Sequence, residues 1–189
     1  GRELFFINAS VLGFAAKLSR DLRAEVKKWM GSVAYPLAVL GELPELESYS
    51  LEIKLDGGEP ENFTVFNVTI SNGEFLGGGI LAAPQALLDD GKLDLFLFPE
   101  MPVVKGVNLV PTILTGGHVK KEEFTIRPLR RLQFRSDPPL PMNADGEFLG
   151  EIAEGELEIL PQALKLVCNC QSDVCPLLHP GSPHPPGQA

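Results

Sequence analysis

Cysteine is scarce in this sequence and confined to one end. Its 189 residues include three, Cys168, Cys170 and Cys175. An odd count and a core without cysteine exclude a disulfide framework and point to a reducing, cytoplasmic compartment. Basic residues are outnumbered: Lys plus Arg total 16 against 25 for Asp plus Glu, giving a net charge of −9. A general nucleic-acid binder needs a basic surface to meet phosphates, so no nucleic-acid partner is expected. Long apolar runs are missing too, and none approaches the roughly 18 residues of a membrane-spanning helix. No signal-peptide pattern precedes Gly1-Arg2-Glu3-Leu4-Phe5-Phe6, and the start reads as a cut from something longer. Histidine is rare as well. Only His118, beside Gly116-Gly117, lies outside the tail, and no Ser/His/Asp arrangement stands out.

What is present suits one globular domain with a real core: 44% hydrophobic and 22% charged residues. Residues 3–9 read as a short apolar strand. From Phe14 the apolar residues Leu18, Leu22, Val26, Val33, Leu37 and Leu40 recur at helical spacing, with Pro36 as a kink or stop. The other face of that helix carries Lys17, Arg20, Arg23, Lys27 and Lys28, a solvated face or a contact for anionic lipid headgroups. Tyr49, Leu51, Ile53 and Leu55 then alternate with polar residues, the pattern of a half-buried strand. Asp56-Gly57-Gly58 turns the chain, and further strands are expected at 63–70 and around Leu93–Leu97. Residues 102–114 have helical spacing. Short strands follow near 123–127, 130–135, 140–144, 156–160 and 163–168. The fold class is therefore α+β, a mainly antiparallel β-sandwich with two or three helices, filling residues 1–178. Residues 179–189, with their Pro and Gly content, read as a disordered tail.

Several stretches could carry chemistry. In the tail, Cys168, Cys170, Cys175, His179 and His184 are zinc-ligand types, but their spacing fits no common zinc module. Gly77-Gly78-Gly79 lacks the Lys-Ser/Thr of a phosphate loop, and its glycines instead permit positive φ or close backbone approach. The triplets at Asn8, Asn62 and Asn67 fit a glycosylation pattern by chance, since Asn8 and Asn67 fall in expected strands. Residues 84–95, PQALLDDGKLDL, place three acids around a glycine; this is either an ordinary Asp-Gly turn or a hard-oxygen site for Mg²⁺ or Ca²⁺. Residues 142–150, MNADGEFLG, have two readings. Asp-Gly is a hairpin turn, and Asp-Gly-Glu can hold a carboxylate out toward a substrate proton.

Taken in order, Phe6-Ile7-Asn8-Ala9-Ser10, the block 71–95 (SNGEFLGGGILAAPQALLDDGKLDL), TGGHV at 115–119, NADGE at 143–147 and LEILPQAL at 157–164 resemble the C-terminal half of bacterial diacylglycerol-kinase-like lipid kinases. Sphingosine and ceramide kinases belong to the wider group. The resemblance covers residues 3–178 and implies a β-sandwich lobe on the lipid side. It also implies an ATP-binding lobe with a Gly-Gly-Asp-Gly-Thr loop, a sequence not found here. The proton acceptor of such kinases falls on Glu147. Their Mg²⁺ (or Ca²⁺) ligands fall on the Leu87 carbonyl, the Asp90 carboxylate and the Lys92 carbonyl. The expected partners are ATP, bound through the other lobe, a lipid substrate and the inner membrane face, to which the protein attaches peripherally. The alternative function is a non-catalytic lipid- or protein-binding sandwich module.

Overall fold

The computed structural model describes residues 3–21, 47–76, 80–114, 117 and 124–165. Strands β1 (Ala9–Gly13), β2 (Tyr49–Leu55), β3 (Glu61–Ser71), β6 (Leu93–Pro99), β7 (Thr125–Leu129), β8 (Arg131–Ala144) and β9 (Glu147–Glu158) form one antiparallel sheet. A separate two-stranded ribbon joins β4 (Phe75–Leu76) to β5 (Ile80–Leu81). Among the described residues the helices are α1 (Phe14–Asp21) and α2 (Val103–Leu114).

β3 and β8 are both long, and the narrow space between them is shared. β1 pairs with residues 67–71 of β3 and 142–144 of β8, while β2 pairs with 61–65 of β3 and 132–137 of β8. β1 and β2 therefore lie end to end, running the same way, as two halves of one strand position. β6 and then β7 extend the sheet beyond β3, and β9 lies beyond β8.

Strand alternation sorts the core. In β6, Leu93, Leu95 and Leu97 face one way, and Phe96 and Phe98 face the other. The leucines join a cluster drawn from all seven strands, including Leu12, Leu51, Ile53, Val68, Ile70, Leu129, Leu140 and Leu157. Residues as far apart in the sheet as Leu129 of β7 and Leu157 of β9 share that cluster, so the sheet bends over on itself as a sandwich. This is the α+β, antiparallel architecture expected above. On the opposite face Phe66, Phe96, Phe98 and Phe124 pack under Leu109 of α2, with Phe14 at the margin. Ring centroids stand 5.1–6.3 Å apart, the spacing of favourable tilted aromatic pairs.

Boundaries differ from expectation in four places, the first three for a physical reason. Residues 3–8 are not a strand; the N–H groups of Ile7 and Asn8 bond a side-chain carboxylate rather than a neighbouring strand. β8 is one strand where two were expected. Ser136-Asp137-Pro138-Pro139 looks like a break, but β2 keeps pairing through Asp137 while the β9 side absorbs the extra residues as a register shift between Arg135 and Leu140. β9 begins at Glu147 rather than 156. It pairs with β8 alone and carries few buried residues, so it lacks the apolar alternation that announces a strand. Residues 163–165 are not in a strand, and the rest of that expected element lies outside the described residues. The expected helix beyond Asp21, the basic residues Arg23, Lys27 and Lys28, Gly77–Gly79, His118 and the cysteine-bearing tail also lie outside them.

The chain leaves β1 for α1 at Gly13, against a bulge in β3 where Phe66 and Asn67 turn to the same face. Asn67 is buried there. Its side-chain oxygen accepts the Ala15 N–H at 3.2 Å, capping α1, and its amide donates to Thr69 Oγ1. Gly13 has φ +98°, and a Cβ on it would collide with the Phe66 carbonyl oxygen. Both the left-handed backbone and the close approach require glycine. Gly13→Ala is expected to lower unfolding free energy by about 2–4 kcal/mol, combining backbone strain with a buried clash. Urea denaturation of the purified chain checks this, and a loss below about 0.5 kcal/mol would contradict it.

Candidate functional site

The β8–β9 connection is a two-residue loop. Asp145 has φ +48° and Gly146 φ +88°, both left-handed, as a type I′ hairpin turn requires. Ala144 and Glu147 face each other across its base. Asp145 is exposed, but its carboxylate turns back onto the chain. Its Oδ2 accepts the Ile7 N–H at 2.7 Å, and its Oδ1 accepts the N–H groups of Asn8 at 2.9 Å and Ala9 at 3.0 Å. The Asp145 N–H donates in return to the Ala9 carbonyl at 2.9 Å. Glu147 is exposed, and its carboxylate makes no hydrogen bond or ion pair with another described residue. By alternation it shares a sheet face with Ala144 and Ser10, both small. Phe148 and Asn143 face the other way, toward α1. There the Arg20 guanidinium lies 5.2 Å from the Phe148 ring centroid, and Asn143 donates to Ser19 Oγ at 3.0 Å. Ser10 Oγ donates to the Asn143 carbonyl.

A second segment closes on the same place. The Asn8 carbonyl accepts the N–H groups of Asn72 at 2.7 Å and Gly73 at 3.3 Å, and the Asn8 amide donates to the Phe75 carbonyl at 2.9 Å. The Asn72 amide donates to the Ile7 carbonyl. A Cβ on Gly73 would lie 2.5 Å from Asn8 Oδ1 and 3.8 Å from Leu88, so any larger residue there would push the Asn8 side chain aside. The segments 6–10, 71–75 and 143–147, far apart in sequence, are thus stitched into one end of the sheet. Around Asn8 the side chains of Phe5 (75% exposed), Ile7, Phe75 and Leu88 stand out in solvent. Ser71, next to Asn72, is buried, and its hydroxyl has no hydrogen-bond partner among the described residues.

Leu88 leads into the turn that carries the candidate metal ligands. Asp90 Oδ1 accepts the Lys92 N–H at 2.9 Å, leaving its other oxygen without a described partner, and Gly91 takes φ +69° against Pro161. Asp94, across the ladder from Ser71, has its carboxyl pKa pushed above the ordinary value, first by burial and then by the Asp90 charge, against a smaller opposing pull from Lys92. No three His, Cys, Asp or Glu side chains gather into a metal cage among the described residues. The turn contains one carboxylate and the main-chain carbonyls of Leu87 and Lys92, oxygen donors of the hard type that Mg²⁺ and Ca²⁺ prefer. Of the basic α1 face, Lys17 is ion-paired with Glu47 at 3.4 Å and Arg20 stacks on Phe148. Among the described residues no helix is long and apolar enough to cross a membrane.

Sequence reasoning singled out Glu147 but not Asp145 or Asn8. Asp-Gly pointed to a turn, and the signal it also held was that an aspartate at positive φ can turn its carboxylate toward a neighbouring chain. Which chain receives it is set by the sheet.

The architecture is that of an antiparallel sandwich lobe with an acidic hairpin tip at one end. A family model described as "YegS C-terminal NAD kinase beta sandwich-like domain" matches residues 10–168, and the chain belongs to this family. A protein of Shewanella frigidimarina named "Probable lipid kinase YegS-like" is 31% identical over 168 residues, 88% of this chain and 53% of that protein. A protein of Bacillus subtilis named "Diacylglycerol kinase" is 28% identical over 167 residues, 86% of this chain and 53% of its own length. The chain therefore spans about half the length of these curated relatives. A crystal structure of a diacylglycerol kinase from Bacillus anthracis str. Sterne superposes with a TM-score of 0.60 at 21% identity, over 82% of this chain and 50% of the other, which establishes the shared fold.

The raised pKa of Asp94 has a consequence for stability. Its folded value lies above the unfolded value of about 3.8. The ionised carboxylate therefore destabilises the fold at neutral pH, and this cost disappears as pH falls through the folded pKa toward the unfolded one. Asp94→Asn is expected to stabilise the chain at neutral pH by no more than about 1 kcal/mol, since the half-exposed group is screened by solvent. The gain should vanish in acid. Denaturation at neutral and acidic pH measures it, and a gain that persists unchanged in acid would rule this cause out.

Proposed function

We propose that this chain is the lipid-side lobe of an ATP-dependent lipid kinase, which moves the γ-phosphate of ATP to a hydroxyl of a diacylglycerol-like or other lipid. The observation that carries the reading is the placement of Glu147. It stands exposed and without a described partner on a turn tied to the Asn8 and Asn72 segments. A lipid hydroxyl is a weak nucleophile. A carboxylate within hydrogen-bond reach accepts its proton as the phosphoryl group arrives. A neighbouring residue already engaged by N–H donors, such as Asp145, is not available for that role.

ATP is held by residues outside this chain, in the half of the relatives that it does not span. The Leu87 carbonyl, the Asp90 carboxylate and the Lys92 carbonyl would hold Mg²⁺ or Ca²⁺, which would supply positive charge to this acidic turn. The exposed apolar side chains Phe5, Ile7, Phe75 and Leu88 give the acyl part of a lipid a surface beside the hairpin tip. Lys17 and Arg20 on α1 favour attachment to a membrane surface, at the inner face of a cytoplasmic membrane.

Two outcomes test this. In the full-length kinase, Glu147→Gln should lower kcat by about 10²- to 10⁴-fold, the range for loss of a general base, with lipid KM little changed. Gln keeps the size but takes no proton. A loss below about threefold, in a folded variant at saturating ATP and lipid, returns Glu147 to the role of a hairpin residue and moves the base to the half of the kinase outside this chain. Separately, Mg²⁺ should raise the melting temperature of the wild-type chain and leave Asp90→Ala unmoved, because a ligand that binds only the folded state stabilises it. Equal responses of the two proteins to Mg²⁺ would remove the metal from this turn.

A further inference from the structure

We infer that Asp145 is a positioning residue: by gripping the backbone ahead of β1 it fixes where Glu147 stands. This rests on the reading of Glu147 as the proton acceptor. Asp145 itself is committed elsewhere. One of its oxygens receives one N–H and the other receives two, at 2.7–3.0 Å, and its own N–H returns a bond to Ala9. Hydrogen bonds to a charged acceptor are the strong ones, and three consecutive donors leave the carboxylate one orientation. The loop has no slack. Asp145 and Gly146 are its only residues, so the direction of the Asp145 peptide sets the direction of the Glu147 Cα–Cβ bond.

The tip needs such a hold because little else provides one. β9 pairs with β8 alone, and the β1–β8 ladder ends at Ser10 and Ala144, just short of the turn. Beyond that point the Asp145 carboxylate and the Asp145–Ala9 bond join the tip to the segment before β1. That segment is itself tied to residues 72–75 through Asn8. Glu147 is thereby registered against the Asn8–Gly73 contact and its apolar surround, where the lipid lies in the proposed function. A catalytic group displaced by about 1 Å can lose about a hundredfold in rate.

The molecule contains its own control. At the other end of β8, Asp56 (φ +50°) begins another Asp-Gly turn, and its Oδ1 accepts the N–H groups of Arg130 and Arg131, both at 2.8 Å. The device is the same, but no candidate catalytic residue stands beside it. Loss of the Asp56 clamp reports on stability alone.

Asp145→Asn separates the clamp from the turn. Asn-Gly is a preferred type I′ sequence, so the hairpin is kept, while one amide oxygen cannot serve three donors. In the chain studied alone, the amides of Ile7, Asn8 and Ala9 should exchange with solvent about tenfold faster or more, since local opening costs less. In the full-length kinase, kcat should fall about ten- to a hundredfold with lipid KM within about twofold. Asp56→Asn should lower the melting temperature and leave kcat within about twofold. On a Glu147→Gln background, Asp145→Asn should cost nothing further, because the two act as one unit. The inference is overturned if Asp145→Asn keeps kcat within about twofold of the parent. It is also overturned if its loss multiplies with that of Glu147→Gln, or if Asp56→Asn produces the same loss. If the Asn variant does not fold, Ile7→Pro deletes one of the three donors without touching the turn, and unchanged kcat in that folded variant overturns the inference. The two readings fail differently. Full turnover by Glu147→Gln removes the reading of Glu147 as proton acceptor and this inference with it, whereas a crippled Glu147→Gln beside a fully active Asp145→Asn removes only the inference.

Discussion

Backbone N–H groups at the ends of strands must find acceptors, and in this lobe aspartates supply them. The sequence has three Asp-Gly pairs, at 56–57, 90–91 and 145–146. In each the glycine takes a positive φ and the aspartate carboxylate bonds main-chain N–H groups. Asp56 holds the passage from β7 to β8, Asp90 shapes the turn before β6, and Asp145 holds the chain ahead of β1. The charged acceptor makes these bonds stronger than a neutral turn residue would. Buried leucines set the thickness of the sandwich, but the carboxylates decide where its strands stop and which loops meet.

That division explains what could be read from the residues alone. Tyr49-x-Leu51-x-Ile53 and Leu93-x-Leu95-x-Leu97 announce strands because burial of one face forces alternation, and both are found where expected. The antiparallel class follows from such runs and the turns between them. β9 could not be read so, because an edge strand with glutamates at 147, 151, 154, 156 and 158 owes its place to pairing with β8 rather than to buried side chains. Nor could the unity of β8, since Ser136–Pro139 carries every local mark of a break and only the pairing with β2 overrides it. At the site, Glu147 was legible as a motif residue, and it stands exposed at the hairpin tip. The partners of Asp145 lie 136–138 residues away in sequence, and a contact so distant leaves no local trace.

Charge is distributed with similar economy. On the strands, Arg127 pairs with Glu61, Arg131 with Glu156 and Arg135 with Glu154. Glu61 and Glu156 have their carboxyl pKa values held below the ordinary range by hydrogen bonds, to Arg127 in the first case and to Gln133 and Arg131 in the second. These pairs are exposed and add little to stability. The two pairs that involve Glu154 and Glu156 keep the long edge strand β9 charged, which discourages another strand from adding to it.

The shared strand position has a consequence for how such a lobe can diversify. The chain leaves the sheet opposite Asn67 and re-enters it opposite Val65, two residues along the same β3 strand. Exit and entry are thus about 7 Å apart. Everything between Gly13 and Tyr49 is a parenthesis in an otherwise continuous line of hydrogen bonds. Its length and composition can change without shifting the register of any ladder, because the strand resumes where it stopped. Selection can rewrite that parenthesis while the hairpin tip and its hydrogen bonds to the chain ahead of β1 stay in place.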